Sequence, residues 1–230
     1  MLIPSHRHTK EDLALWRDLE AADGMHEVKG DLLNQSLEIL EDVIRAGDCC
    51  AYTSWGKESV LLCWLLAILK AEIPVVYVRR GQQDNPDCEL VRDAFLAQNP
   101  LNYYERDFDN EAHATNAHWR SVAKEFGKRS ITGIRADESS KRMLSVFRHG
   151  ITTENVCRPL GFWKLPDVFA MLAQRGLPVH PAYACLGGGR YPREHLRTHS
   201  IGGKSGSGMG RSEWEKEYYP EVFYRARAQA

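Results

Sequence analysis

At Cys49–Thr53 a short strand candidate runs into the polar turn Ser54-Trp55-Gly56 and then into a helix candidate, Lys57–Lys70, that is apolar on every side. A helix without a polar stripe is stable only when it is covered all round. A strand that feeds straight into such a helix is the opening half of a βαβ unit. The fold must therefore lay this helix on a sheet and cover it again from outside.

The flanking sequence supplies both layers. Leu33, Leu37, Leu40 and Ile44 give one apolar stripe along Asp31–Ala46, and Gly47 stops that helix. Strand candidates follow at Ile73–Arg79, Leu101–Asp107 and Arg129–Ile134, separated by helices from Asn85-Pro86-Asp87 to about Gln98 and over Ala112–Phe126. A last helix, Leu165–Arg175, is closed by Gly176 and Pro178. Alternating strands and helices predict an α/β fold, a parallel sheet with helices on both faces. Residues 1–30 read as a polar N-terminal extension with one helix capped at Thr9. Residues 31–185 read as the domain, and 186–230 as a basic tail rich in glycine, with eight glycines between 186 and 212.

Composition excludes several classes. The 43% hydrophobic content is enough for a sizeable core, and 30 Lys/Arg against 31 Asp/Glu exclude a generally basic nucleic-acid coat. The longest apolar run, Val60–Leu69, is half of the about 20 residues that a membrane span needs. With no signal peptide legible at the N-terminus, a cytoplasmic protein with reduced thiols is expected. None of the six cysteines is spaced C-x-x-C, so neither a zinc ribbon nor an iron–sulfur ligand set is expected.

The turn after the first strand carries the chemistry. A helix N-terminus directs backbone N–H groups and a partial positive charge at one point, where an anion is stabilised. Ser54 and Ser59 add hydroxyls, Lys57 adds a cation, and Gly56 admits close approach. With one glycine before the lysine this is not the G-x-x-x-x-G-K-[ST] loop. A plain helix cap at Ser54 beside a solvated Lys57 is the competing explanation.

Ser54–Ser59 (SWGKES) resembles the SGGKDS loop of the PP-loop ATP pyrophosphatases, and most of all the branch similar to 3′-phosphoadenylylsulfate (PAPS) reductase, where an aromatic residue often stands second, as Trp55 does. Thr132–Arg142 (TGIRADESSKR) resembles that branch's G-x-R-x-[DE]-[ES]-x-x-R segment, and Cys157-Arg158-Pro159-Leu160 before Trp163 resembles its approach to the last helix. The resemblance spans about residues 31–185 and implies a Rossmann-like adenine nucleotide α-hydrolase fold that binds ATP. It implies phosphate or nucleotide contacts from Thr53, Ser54, Trp55, Gly56, Lys57, Ser59, Gly133, Ile134, Arg135, Arg142 and Arg158, with adenine near Val78 and Arg79. Arg142 has a second explanation, an ion pair with Glu138 four residues earlier. Where the family carries Asp, this chain has Glu58, a loosely implied Mg²⁺ ligand.

Two reactions share that scaffold. A sulfonucleotide reductase needs a C-terminal thiol, and no cysteine follows Cys185. A lysine beside the loop's acid suits departing pyrophosphate instead. The expectation is an ATP pyrophosphatase with Lys57, Glu58 and Arg135 in catalytic roles, which adenylates an acceptor for sulfur transfer. The resemblance extends to DNA phosphorothioation with a cysteine desulfurase as sulfur donor. A true PAPS reductase and a non-catalytic ATP-sensing subunit stay open, as do small-molecule and tRNA acceptors and an oligomeric state. Cys185 is the thiol expected to reach the pocket, Cys157 a second candidate, with simple packing as the alternative. Arg190, Arg193, Arg197, Lys204 and Arg211, with His195 and His199, make the tail a candidate cover for nucleotide or DNA.

Overall fold

A computed structural model describes residues 1–79, 81–107, 116–202 and 211–228. Among these, β1 (Cys49–Thr53), β2 (Val75–Val78), β3 (Tyr103–Arg106), β4 (Arg129–Ile131) and β5 (Val156–Cys157) form one sheet in the order β3-β2-β1-β4-β5. Every pairing is parallel. The helices are α1 (Lys10–Met25), α2 (Leu32–Ala46), α3 (Lys57–Ile68), α4 (Asp87–Leu96), α5 (Asn116–Phe126), α6 (Ser140–His149), α7 (Leu165–Gln174), α8 (Arg211–Tyr218) and α9 (Pro220–Ala228). None is long and apolar enough to cross a membrane.

As its all-round apolar sequence requires, α3 is sunk in the core. Val60, Leu61, Leu62, Cys63, Leu65 and Leu66 are buried, and the helix packs against β1, α2 and α7. A smaller apolar cluster, in which Val78 and Val122 join Cys50 and Val76, attaches α5 to the sheet.

The expected division into extension, domain and tail does not separate packing units. Trp16 of α1 is buried against Phe169 of α7, ring centroids 6.2 Å apart. Trp214, Tyr219 and Phe223, from beyond residue 185, lie in the same core cluster. Buried Asp12 ties the extension to the tail, accepting from the Leu186 and Gly188 N–H groups and from the Tyr218 hydroxyl. At the N-terminus of α1, Thr9 caps the helix with Asp12 in a reciprocal box.

Four elements lie outside the sequence reading. α6 buries Val146 alone, so its apolar residues mark no core stripe. β5 is two residues long. α8 and α9 bury Trp214, Tyr218, Val222 and Phe223 between closely spaced charges, and Pro220 starts a helix at its first position where it reads as a breaker. The first residues of the expected helix Ala112–Phe126 lie outside the described residues.

Candidate active site

β1 pairs with β2 on one side and β4 on the other, so the chain leaves β1 and β4 in diverging directions. That switch point is where open parallel sheets form ligand crevices, at the carboxyl ends of the strands. The turn 54–56 and the segment 132–135 flank it.

Close packing shapes both. Trp55 adopts a left-handed backbone, φ 56°, which costs a side-chain-bearing residue about 1–3 kcal/mol. Its fully buried indole offsets that cost, packed on Phe95 and Tyr103 and donating its N–H to the Tyr103 hydroxyl at 3.3 Å. A Cβ on Gly133 would come within 2.9 Å of the Glu58 carbonyl oxygen, so only glycine lets this strand end run against the start of α3. Ser54 donates its N–H to Ser59 Oγ at 3.0 Å, and the two hydroxyls are also 3.0 Å apart.

Four charges interlock at the mouth of α3. Lys57 Nζ lies 3.2 Å from Glu58 Oε1 and 4.6 Å from the Tyr183 ring centre. Arg135 directs Nε and a terminal nitrogen to the same Glu58 oxygen at 3.1 Å, and its other terminal nitrogen binds Asp137. Burial disfavours the Lys57 ammonium, but Glu58 more than compensates and raises its pKa. Burial likewise opposes ionised Glu58, and the charges of Lys57 and Arg135 overcome it and lower its pKa. Arg142 pairs with Glu138. Burial, followed by the positive charges of Arg197, Arg135 and Arg158, pushes the Arg142 guanidinium below its ordinary value.

Two adjoining clefts open here and share Ser54, Glu58, Glu138 and Arg142. The larger, about 550 Å³, has an aromatic wall of Tyr52 and Trp119, centroids 5.3 Å apart, and is also lined by Thr53, Ser59, Thr132, Gly133 and Ile134. The smaller, about 380 Å³, adds Gly56, Lys57, Arg135 and Tyr183, and is roofed by residues 194–199 with Arg197.

Most expected site residues therefore surround one crevice, but several do not. The Trp55 side chain lies in the core. Val78 ends β2 and Arg79 follows it, on the far side of β1 from the crevice, where Arg79 pairs with Glu105 and Glu89. Arg80 and Lys204 lie outside the described residues. Cys185 lines neither cleft: it is fully buried, its Sγ 3.7 Å from the Pro181 carbonyl, and burial pushes its thiol pKa up. Cys157 is equally buried, its thiol pushed up to about 11 by burial. Arg158 stands beside the site with one terminal nitrogen buried and without a hydrogen-bond partner.

The tail arginines divide. Arg193 forms a two-pronged pair with Asp23 at 2.5 and 2.6 Å and lies over the Phe169 ring. Arg190 pairs with Glu217. Arg211 holds Glu215 and the Ser200 carbonyl. Of these tail arginines, Arg197 alone lines either cleft. Tyr52, Trp119, Lys128, Ser130, Thr132, Tyr183 and Thr198 are site residues that the sequence reading missed. Tyr52 had a signal, since alternation along β1 places it on the opposite face from Thr53 and Ala51.

Glu58 does not fit the role of a Mg²⁺ ligand. Its Oε1 already receives Lys57 and Arg135, and no cluster of three or more His, Cys, Asp or Glu among the described residues could hold a metal ion.

No family model and no curated protein matches this chain. Among solved structures it resembles Candida glabrata FMN adenylyltransferase in complex with FAD and inorganic pyrophosphate, with a TM-score of 0.52 and 17% identity over 75% of this chain and 68% of that one. It also matches PAPS reductase from Candida auris in a phosphate complex, at a TM-score of 0.45 and 10% identity over 63% of this chain and 81% of that one. The adenylyltransferase likeness shows a shared fold.

Proposed function

We propose that the protein is a PP-loop ATP pyrophosphatase that transfers adenylyl groups. The observation that carries this reading is the Lys57–Glu58–Arg135 network at the start of α3, directly beside the Ser54 and Ser59 hydroxyls. In this reading the base occupies the larger cleft against Tyr52 and Trp119, and the triphosphate crosses the turn 54–56 toward Lys57. An acceptor oxygen attacks the α-phosphorus, the α–β bond breaks, and pyrophosphate leaves with its charge held by Lys57 and the helix N-terminus. Arg142 and Arg197 face the acceptor's side.

PAPS reduction is disfavoured by the burial of all six thiols, none of which lines either cleft. If the activated acceptor goes on to receive sulfur, the donor must bring its own reactive sulfur, as a cysteine desulfurase would. DNA or another acceptor and Mg²⁺ carried in by ATP belong to the same proposal.

A nucleotide panel tests it. ATP with Mg²⁺ should raise the melting temperature, as expected for a gain of about 2.7 kcal/mol at a hundredfold excess over Kd. Stabilisation by PAPS or adenylylsulfate but not by ATP would reverse the assignment. ATP binding without any pyrophosphate release over a wide acceptor panel would leave a sensor.

A further inference from the structure

Helix α6 meets the protein with little of its surface. Met143, Leu144 and Phe147 are 43%, 66% and 74% exposed, and Val146 alone of the helix is buried. Lys141, Leu144 and Arg148 stand in one row along the helix, and Phe147 lies three residues after Leu144, on an adjoining row. No Asp or Glu occurs between Ser139 and Thr153. Lys141 and Arg148 form no ion pair among the described residues. Gly161 packs on Ile151, just past the helix, and its chain neighbour Phe162 is exposed. Arg142, in the first turn, lines both clefts. An exposed aromatic and aliphatic strip, flanked by cations, thus runs to the mouth of the site.

We propose that this edge holds a single-stranded nucleic acid and leads it to the smaller cleft as the acceptor, an inference that rests on the adenylyl-transfer reading. The strip asks for flat apolar groups between anions. A single strand supplies these, its bases against Phe147 and Leu144 and its phosphates on Lys141 and Arg148. A stable protein partner would need about 800 Å² on each side, and a bilayer anchor a continuous apolar face. Four exposed apolar side chains interrupted by Lys and Arg provide neither. A second copy would set basic α6 against basic α6 across a two-fold axis, which like charges oppose. A duplex keeps its bases stacked inside and has none to offer Phe147.

Fluorescence anisotropy with a labelled single strand of about 15 nucleotides, within the usual range of site sizes, tests the inference. The full chain should bind the strand and bind the matching duplex more weakly. Phe147→Ala should weaken binding about tenfold with the salt dependence unchanged. Lys141→Glu with Arg148→Glu should weaken it further and flatten the plot of log K against log salt by about 0.7 for each phosphate that is no longer neutralised. Stabilisation by ATP should be the same in all variants, because none of these residues lines a cleft. The inference is overturned if both variants bind the strand like the wild type, if the duplex binds more tightly, or if phosphatidylserine vesicles bind and the strand does not. Strand binding through α6 in a protein that ignores ATP would sink the adenylyl-transfer reading and leave the docking edge standing.

Discussion

Lys57 is held by burial, a carboxylate 3.2 Å away and an aromatic face, so its ammonium is fixed before any ligand arrives. Lys57→Ala should weaken ATP binding by about 1.5–3 kcal/mol, the size of one charge-assisted hydrogen bond, as read by calorimetric titration. Unchanged affinity would remove Lys57 from the phosphate site. Trp55 works differently, as it shapes the turn from the core side. Trp55→Ala should cost about 3–5 kcal/mol in denaturant unfolding, because it empties a large buried volume while the strained φ remains. A loss below about 1 kcal/mol would mean that the indole is not what holds the turn. The turn is legible in sequence because strand, turn chemistry and helix start agree locally. The direction of the Trp55 side chain is not, because it depends on Phe95 and Tyr103, far along the chain.

At the scale of elements, residues 190–202 form a strap fixed from both sides. Ile201 donates to the Gln83 carbonyl at 3.1 Å, Gly202 to Glu215, and Thr198 sits against Gly56. Glycine content and charge suggest a mobile cover, yet the partners that order it are side chains from α1, α8 and α9, which no local pattern reveals. The arginines should therefore separate in experiment. Arg193→Ala breaks a buried pair and should cost about 3–5 kcal/mol of stability. Arg197→Ala should leave stability within about 0.5 kcal/mol of wild type and reduce turnover. Equal melting temperatures for the two variants would contradict the strap geometry. The larger cleft, where we propose the base lies, forms on the β4 side of β1 and not at Val78 and Arg79, for a similar reason. Which strand flanks β1 opposite β2 is a matter of sheet order, and the βαβ pattern that predicts the sheet does not encode it.

For the whole molecule, the titrating groups predict a stability plateau. Glu58, Glu105 and Glu221 each have a lowered folded pKa, burial opposing ionisation in each case and neighbouring Lys or Arg charges prevailing. Their contribution is present above the ordinary carboxylate value of 4.5 and is lost as pH falls through the lowered values. Burial raises Cys50 and Cys157 to about 11 and Cys63 to about 12. These thiols favour the fold fully below the ordinary value of 9.0, and that support is lost as pH rises from there through the raised values. Melting temperature should fall on both sides of this window, and a curve that stays flat to pH 11 would contradict the buried thiols. The central claim is cleavage between the α- and β-phosphates, and product analysis after incubation with γ-labelled ATP, Mg²⁺ and single-stranded nucleic acid tests it most directly. The account predicts that label leaves as pyrophosphate, and that Lys57→Ala abolishes or strongly reduces the release. Label appearing as orthophosphate, or pyrophosphate released equally by the variant, would contradict it.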